Sequence, residues 1–173
     1  MIPAPGVVFN ITNDEKRACD TIALQSERKG CVAITMKLTP YLLFDGNCAE
    51  AMTFYKACLG RELTATMLGD SPVKGQFPAE QQNKVVNSRL TSGAIDISAS
   101  DWLHPTRMPT QGNTVCLYIS EGTYTELKEV FDKFSQGADP ALLDALQDMP
   151  FGSYGALTDT FGVLWMFQGE KQG

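Results

Sequence analysis

The sequence predicts an α+β protein made of two βαβββ modules in tandem, and three observations carry that prediction. The first is the run Pro40 to Gly60, which reads in order as an apolar strand, a turn, a capped helix and a glycine stop. The second is the return of that grammar: D-G-N-x-x-E from Asp45 to Glu50 is matched by E-G-T-x-x-E from Glu121 to Glu126, 76 residues on, which marks an internal repeat. The third lies downstream of each helix, where short β-rich runs are separated by turn residues.

Lys37 to Phe44 places apolar residues at Leu38 and from Tyr41 through Phe44, the pattern of a central strand covered on both faces. Asp45-Gly46 turns the chain, and Asn47 with Glu50 has the spacing of a capping box. Cys48, Ala51, Met52, Tyr55, Cys58 and Leu59 then recur at helical spacing until Gly60. Arg61 to Leu68 reads as a strand, and Gly69 to Asn83 as a polar loop. Lys84 to Thr91 and Ala94 to Ser100 read as strands joined by a two-residue turn at Ser92-Gly93. That turn would set Arg89 opposite Asp96 and Asn87 opposite Ser98. Alternation then gives a polar face of Asn87, Arg89, Asp96, Ser98 and Ser100, and a core face of Leu90, Ile95 and Ile97.

Trp102 to Asn113 reads as a loop. Val115 to Ile119 is again apolar on both sides, Thr123 and Glu126 form a second capping box, and Leu127, Val130, Phe131 and Phe134 make a helix stripe before Gly137. Three more strands are expected near Leu142 to Gln147, Gly152 to Leu157 and Val163 to Gln168, with Asp159 to Gly162 turning between the last two. Residues 1–35 lack sustained periodicity and read as a poorly ordered extension, residues 36–105 as the first module and residues 106–173 as the second.

Composition narrows the function classes. A net charge of -6 and a pI near 4.7 leave no basic face for a phosphate backbone or an anionic bilayer, so neither nucleic acid nor membrane is an expected partner. The longest apolar runs are too short to span a bilayer. The five cysteines are odd in number and never form C-x-x-C, which suits reduced thiols in a cytoplasmic protein. The single histidine, His104, has no cysteine near it, and structural zinc is set aside.

The tandem modules, together with P-Y-L-L-F-D-G-N-C-A-E-A-M-T-F-Y from Pro40, S-A-S-D from Ser98 and T-D-T-F-G-V-L-W-M-F from Thr158, resemble the PhnB-like branch of the vicinal oxygen chelate superfamily of glyoxalases, bleomycin-resistance proteins and extradiol dioxygenases. The resemblance runs from about Met36 to the C-terminus. It implies curved mixed sheets that form a U-shaped trough, and a homodimer. It also implies a divalent metal held by His and Glu, but the matching positions carry Pro40, Thr114 and Met166. Only a place near Asp96 keeps a carboxylate, and Asn87 stands where relatives often carry histidine. One carboxylate does not hold a catalytic cation, so no metal and no cofactor are expected. Relatives are sometimes labelled ubiquinone methyltransferases; the sequence has neither a glycine-rich cofactor fingerprint nor the α/β alternation of such an enzyme.

No complete catalytic constellation is present, and whether the protein turns over a substrate is left open. Asn87, Arg89, Asp96, Ser98 and Trp102 are the candidate ligand-binding residues, suited to a small anionic or partly apolar molecule through an arginine fork. The competing reading of Arg89 and Asp96 is a cross-strand ion pair at a solvent-facing hairpin. Two further readings stand: a metal-dependent lyase, isomerase or dioxygenase, and a non-catalytic dimeric interaction protein. His104 reads as a surface or hinge residue, Cys116 as an inert thiol that could face the trough, Asp159 and Asp101 as turn and strand-end residues, and Trp165 as core.

Overall fold

The computed structural model describes residues 36–173, and Thr39–Gly173 forms one compact unit. The extension expected over residues 1–35 lies outside the described residues. In chain order the unit contains β1 (Tyr41–Phe44), α1 (Cys48–Leu59), β2 (Glu62–Met67), β3 (Val85–Ser92), β4 (Ile95–Asp101), β5 (Leu117–Ser120), α2 (Tyr124–Phe134), β6 (Leu143–Met149), β7 (Gly152–Thr158) and β8 (Leu164–Gly169). Two mixed four-stranded sheets result, ordered β1-β4-β3-β2 and β5-β8-β7-β6. Each has one parallel pair, β1 with β4 and β5 with β8, and is otherwise antiparallel. This is the tandem βαβββ, α+β architecture that the repeat implied. No helix among the described residues is long and apolar enough to cross a membrane.

The helix stripes fall where the periodicity puts them. Cys48, Ala51, Met52, Tyr55 and Cys58 are buried on α1, as are Leu127, Phe131 and Phe134 on α2. Each helix covers the inner face of its own sheet, and the two helices also meet. Tyr55 stacks on Phe134 at 5.9 Å and 21°, Phe54 meets Phe134 edge-on at 5.6 Å, and Trp165 lies 4.5 Å from Phe134. One apolar core therefore serves both modules.

A single carboxylate ties that core together. Asp159 is 4% exposed, and its Oδ2 accepts from the Tyr55 hydroxyl at 2.7 Å and the Trp165 indole N–H at 2.8 Å. Its Oδ1 accepts from the backbone N–H of Phe161 and Val163, closing the β7–β8 turn. Burial first, then the charge of Asp159 and its hydrogen bond, hold the Tyr55 phenolic proton far above the usual range.

Three local expectations are corrected. Asn47 occupies the N-cap of α1 but makes no side-chain cap. Asp101, at the end of β4, caps instead, accepting from Cys48 N–H at 3.0 Å through Oδ1 and from Val85 N–H at 2.7 Å through Oδ2. A buried carboxylate placed by the fold satisfies the helix N-terminus better than an Asn in a non-extended conformation (φ −113°, ψ 18°). The box at Thr123 and Glu126 is present in both halves.

The hairpin turns at Gly93-Ala94 rather than Ser92-Gly93. Ser92 pairs with Ile95, Thr91 with Asp96 and Arg89 with Ser98. Gly93 supplies the positive φ (59°) that the first position of a type II′ turn requires. Moving the turn by one residue moves each partner by two, so the alternation of faces is unchanged. Finally, β1 is an edge strand, not a central one. Its outward residues Tyr41 and Leu43 are 51% and 40% exposed and line a cleft, which is why the run is apolar on both sides without a second layer over it.

Asp159→Asn is expected to cost about 3 kcal/mol in chemical denaturation, because it weakens two buried side-chain bonds at once, and Tyr55→Phe about 1 kcal/mol. Burial pushes the Cys48 and Cys58 thiols up to about 11 from an ordinary 9.0; the Asp101 charge adds at Cys48 and the Ser88 hydroxyl partly offsets it. Groups raised in the fold stabilise fully below their unfolded value, and that stability is lost as pH rises through the folded one. The melting temperature should therefore fall between pH 9 and about 11, and more shallowly in a Cys48→Ala/Cys58→Ala variant.

Candidate functional site

The outward face of the first sheet is polar because period-two alternation on β3 and β4 sends Ser88, Leu90, Ile97 and Ala99 to the helix side. Asn87 and Arg89 point outward, with Asp96 and Ser98 beside them. Arg89 donates to Asp96 through Nε at 2.8 Å and Nη2 at 2.6 Å, a bidentate fork made diagonally across the β3–β4 pair. The arginine side chain is 53% exposed and the aspartate 11%. Of the five N–H donors of the guanidinium, two are taken by Asp96. The strand register places Thr64, Arg89, Ser98 and Tyr41 side by side, one from each strand of the sheet. Four candidate residues, Asn87, Arg89, Asp96 and Ser98, thus share one surface.

Trp102 belongs to a different part of the site. Its backbone N–H extends the β1–β4 ladder by donating to Phe44 O at 2.7 Å, and its indole N–H donates to Arg107 O. The indole stacks near His104, with ring centroids 6.2 Å apart. His104 Nδ1 accepts from the backbone N–H groups of Thr106 and Arg107, a loop-shaping role that matches a hinge histidine. These residues begin the connection between β4 and β5, and that connection covers a cleft of about 520 Å³.

The cleft runs between β1 of the first module and the start of β5 and β8 of the second. Tyr41 to Phe44, Trp102, Val115 to Leu117 and Gly162 to Leu164 form its walls, and Arg107, Met108 and Gln111 lie along the connection. Gln111 donates to Phe161 O at 2.7 Å and lies over Gly162, where a Cβ would collide with the Gln111 side-chain amide. Gly162 also has φ +80°, and it is this backbone conformation that calls for glycine, since the Gln111 amide is the far end of a flexible side chain and could move aside. The polar face and the cleft meet at Tyr41, which belongs to both. Arg107 and Gln111 were missed by sequence reasoning, since they sit in an aperiodic loop where no spacing or motif marks them.

The superfamily's divalent metal does not fit the residues at its positions. Among the described residues no three His, Cys, Asp or Glu side chains cluster to hold an ion. The Pro40 carbonyl accepts from Ser98 N–H at 3.1 Å, Met166 offers a thioether with Cys116 at 3.4 Å, and Asp96 faces the Arg89 fork. The buried carboxylates of Asp101 and Asp159 are engaged by backbone and aromatic donors.

Comparison with known proteins places this geometry among relatives. The family described as 3-demethylubiquinone-9 3-methyltransferase matches residues 36–168. Protein YjdN of Escherichia coli (strain K12) is 30% identical over 147 residues, covering 79% of this chain and 97% of that protein. Protein PA1353 from Pseudomonas aeruginosa superposes with a TM-score of 0.69 at 31% identity, covering 80% of this chain and all of that one. A Bacillus cereus structure described as a putative 3-demethylubiquinone-9 3-methyltransferase, PhnB protein, superposes with a TM-score of 0.60 at 25% identity, covering 78% of this chain and 99% of that one.

Since the Arg89–Asp96 pair is solvent-screened, Arg89→Ala should leave the melting temperature close to wild type. Asp101→Ala, which strips the cap of α1 and a partner of β3, should lower it clearly; scanning calorimetry on the two variants checks the contrast.

Proposed function

The chain belongs to the 3-demethylubiquinone-9 3-methyltransferase family, the PhnB-like proteins of glyoxalase fold, and from that premise we propose that it binds a small molecule with an apolar body and an anionic group, without a divalent metal. The observation that carries this is the junction of cleft and polar face at Tyr41. A volume of about 520 Å³ with mostly apolar walls is of the size that small ligands fill. Trp102, Tyr41, Leu43 and Leu164 would pack the apolar body. Arg89, with three N–H donors beyond its bond to Asp96, and the neighbouring Ser98 and Asn87 would meet the anionic group. The protein acts on this reading as a cytoplasmic binding protein.

Methyl transfer, named in the family's description, gains no support from the fold. A nucleoside cofactor of that kind sits at a glycine-rich strand-to-helix turn of a doubly wound parallel sheet. Here each sheet has one parallel pair, and each strand-to-helix turn, Asp45 to Asn47 and Glu121 to Thr123, has a single glycine. A metal-dependent lyase, isomerase or dioxygenase would need donors that Pro40 and Met166 do not offer.

A second reading has its own observation in favour. Tyr41, Leu43 and Tyr118 are exposed on β1 and β5, the edge strands of the two sheets. Exposed apolar edges are suited to a second copy of the chain, and a homodimer would place another surface against the polar face.

A thermal-shift series of aryl and alkyl carboxylates and phosphonates tests the binding reading. A bound acid should raise the melting temperature of wild type, and the rise should shrink in Arg89→Ala and in Trp102→Ala. No shift with any acid, or equal shifts in both variants, would count against it.

A further inference from the structure

Among the described cysteines, Cys48 and Cys58 are buried, and burial raises both thiols. Cys116 differs. It is half-buried, it stands one residue before β5, and it forms part of the cleft wall. The parallel register of β5 with β8 pairs Leu117 with Trp165 and Tyr118 with Met166. Trp165 turns into the core, so Cys116 and Met166 project from the opposite face of the same sheet. Their sulfur atoms lie 3.4 Å apart. These two sulfurs come from residues 50 positions apart in sequence, brought side by side by the β5–β8 ladder.

We propose that Cys116 and Met166 form a two-sulfur site for a soft monovalent metal ion of the cuprous or silver class, entered from the cleft. A thiolate and a thioether are the donors that favour such ions over magnesium, calcium or manganese, which prefer oxygen. Among the described residues no three His, Cys, Asp or Glu side chains gather anywhere into a hard, oxygen-rich site. Sulfurs 3.4 Å apart are close enough to bind one ion together only with a strongly bent sulfur–metal–sulfur angle. That angle leaves at least one coordination position open for a further soft donor. Binding breaks the Cys116 S–H bond, forms a sulfur–metal bond and releases one proton to solvent, while Met166 contributes a lone pair; no atom changes oxidation state. The inference is independent of the binding reading above, which uses neither sulfur.

Silver(I) alone, as the nitrate in chloride-free buffer, is the probe, and the full chain carries Cys19→Ser and Cys31→Ser so that those thiols do not compete. One ion should bind per chain with release of one proton. Methyl-labelled methionine NMR should show one of the seven methionine methyl resonances moving, the one missing from Met166→Leu. Affinity should fall roughly tenfold or more in Met166→Leu and the stoichiometric site should vanish in Cys116→Ser. Unchanged affinity in Met166→Leu would reveal a bare thiol, and unchanged binding in Cys116→Ser a different sulfur; either result overturns the proposal. Should Met166→Leu fold poorly, the wild-type spectrum decides, because no methyl shift on saturation rejects thioether ligation.

Discussion

The Asp159 carboxylate is the constraint on which the two-module arrangement depends. It is a charge inside an apolar core, and such a charge is tolerated only where donors replace its water. Four donors do so, two from its own turn, one from Trp165 and one from Tyr55 in the other module. The geometry of the β7–β8 turn, the rotamer of Trp165 and the placement of α1 are therefore set by a single group. Phe134, Tyr55 and Trp165 pack against one another, so the aromatic packing and the polar bonds specify the same relative position of the helices.

Such use of acidic residues bears on chemistry. The two carboxylates that lie deepest, Asp101 and Asp159, hold backbone and aromatic donors. Asp96 is largely covered and holds the exposed Arg89 fork. Around the cleft there remain aromatic and aliphatic walls, sulfur atoms and the side chains of a connecting segment.

Much of the architecture was legible in the sequence, because burial imposes a period. The stripes Cys48 to Cys58 and Leu127 to Phe134 follow the 3.6-residue repeat of a helix with one covered side, and the faces of β3 and β4 follow the two-residue repeat. The polar face survived an incorrect register because the slip was even. The hidden features were nonlocal. Hydropathy reports that Tyr41 and Leu43 meet apolar surroundings, but not that these are a cleft at a sheet edge. The Asn47 motif has the right local spacing, while its competitor, Asp101, lies 53 residues beyond the Cys48 N–H that it caps. The cleft itself, with Arg107 and Gln111, is built from an aperiodic connection laid over strands from both modules, and no window of sequence contains it.

The difference between the two helix caps reaches beyond the native state. Helix α2 carries its cap in its own first turn, with the Thr123 hydroxyl accepting from Glu126 N–H and the Glu126 carboxylate accepting from Thr123 N–H. It can start to form from local interactions alone. Helix α1 begins to be capped only when β4 has arrived beside it, since Asp101 must close a loop of more than fifty residues to reach Cys48. The duplicated modules, alike in topology, thus differ in how each helix start is satisfied: the second by residues of its own first turn, the first by a residue of its own sheet. A repeated fold thus carries one cap that is local and one that is not.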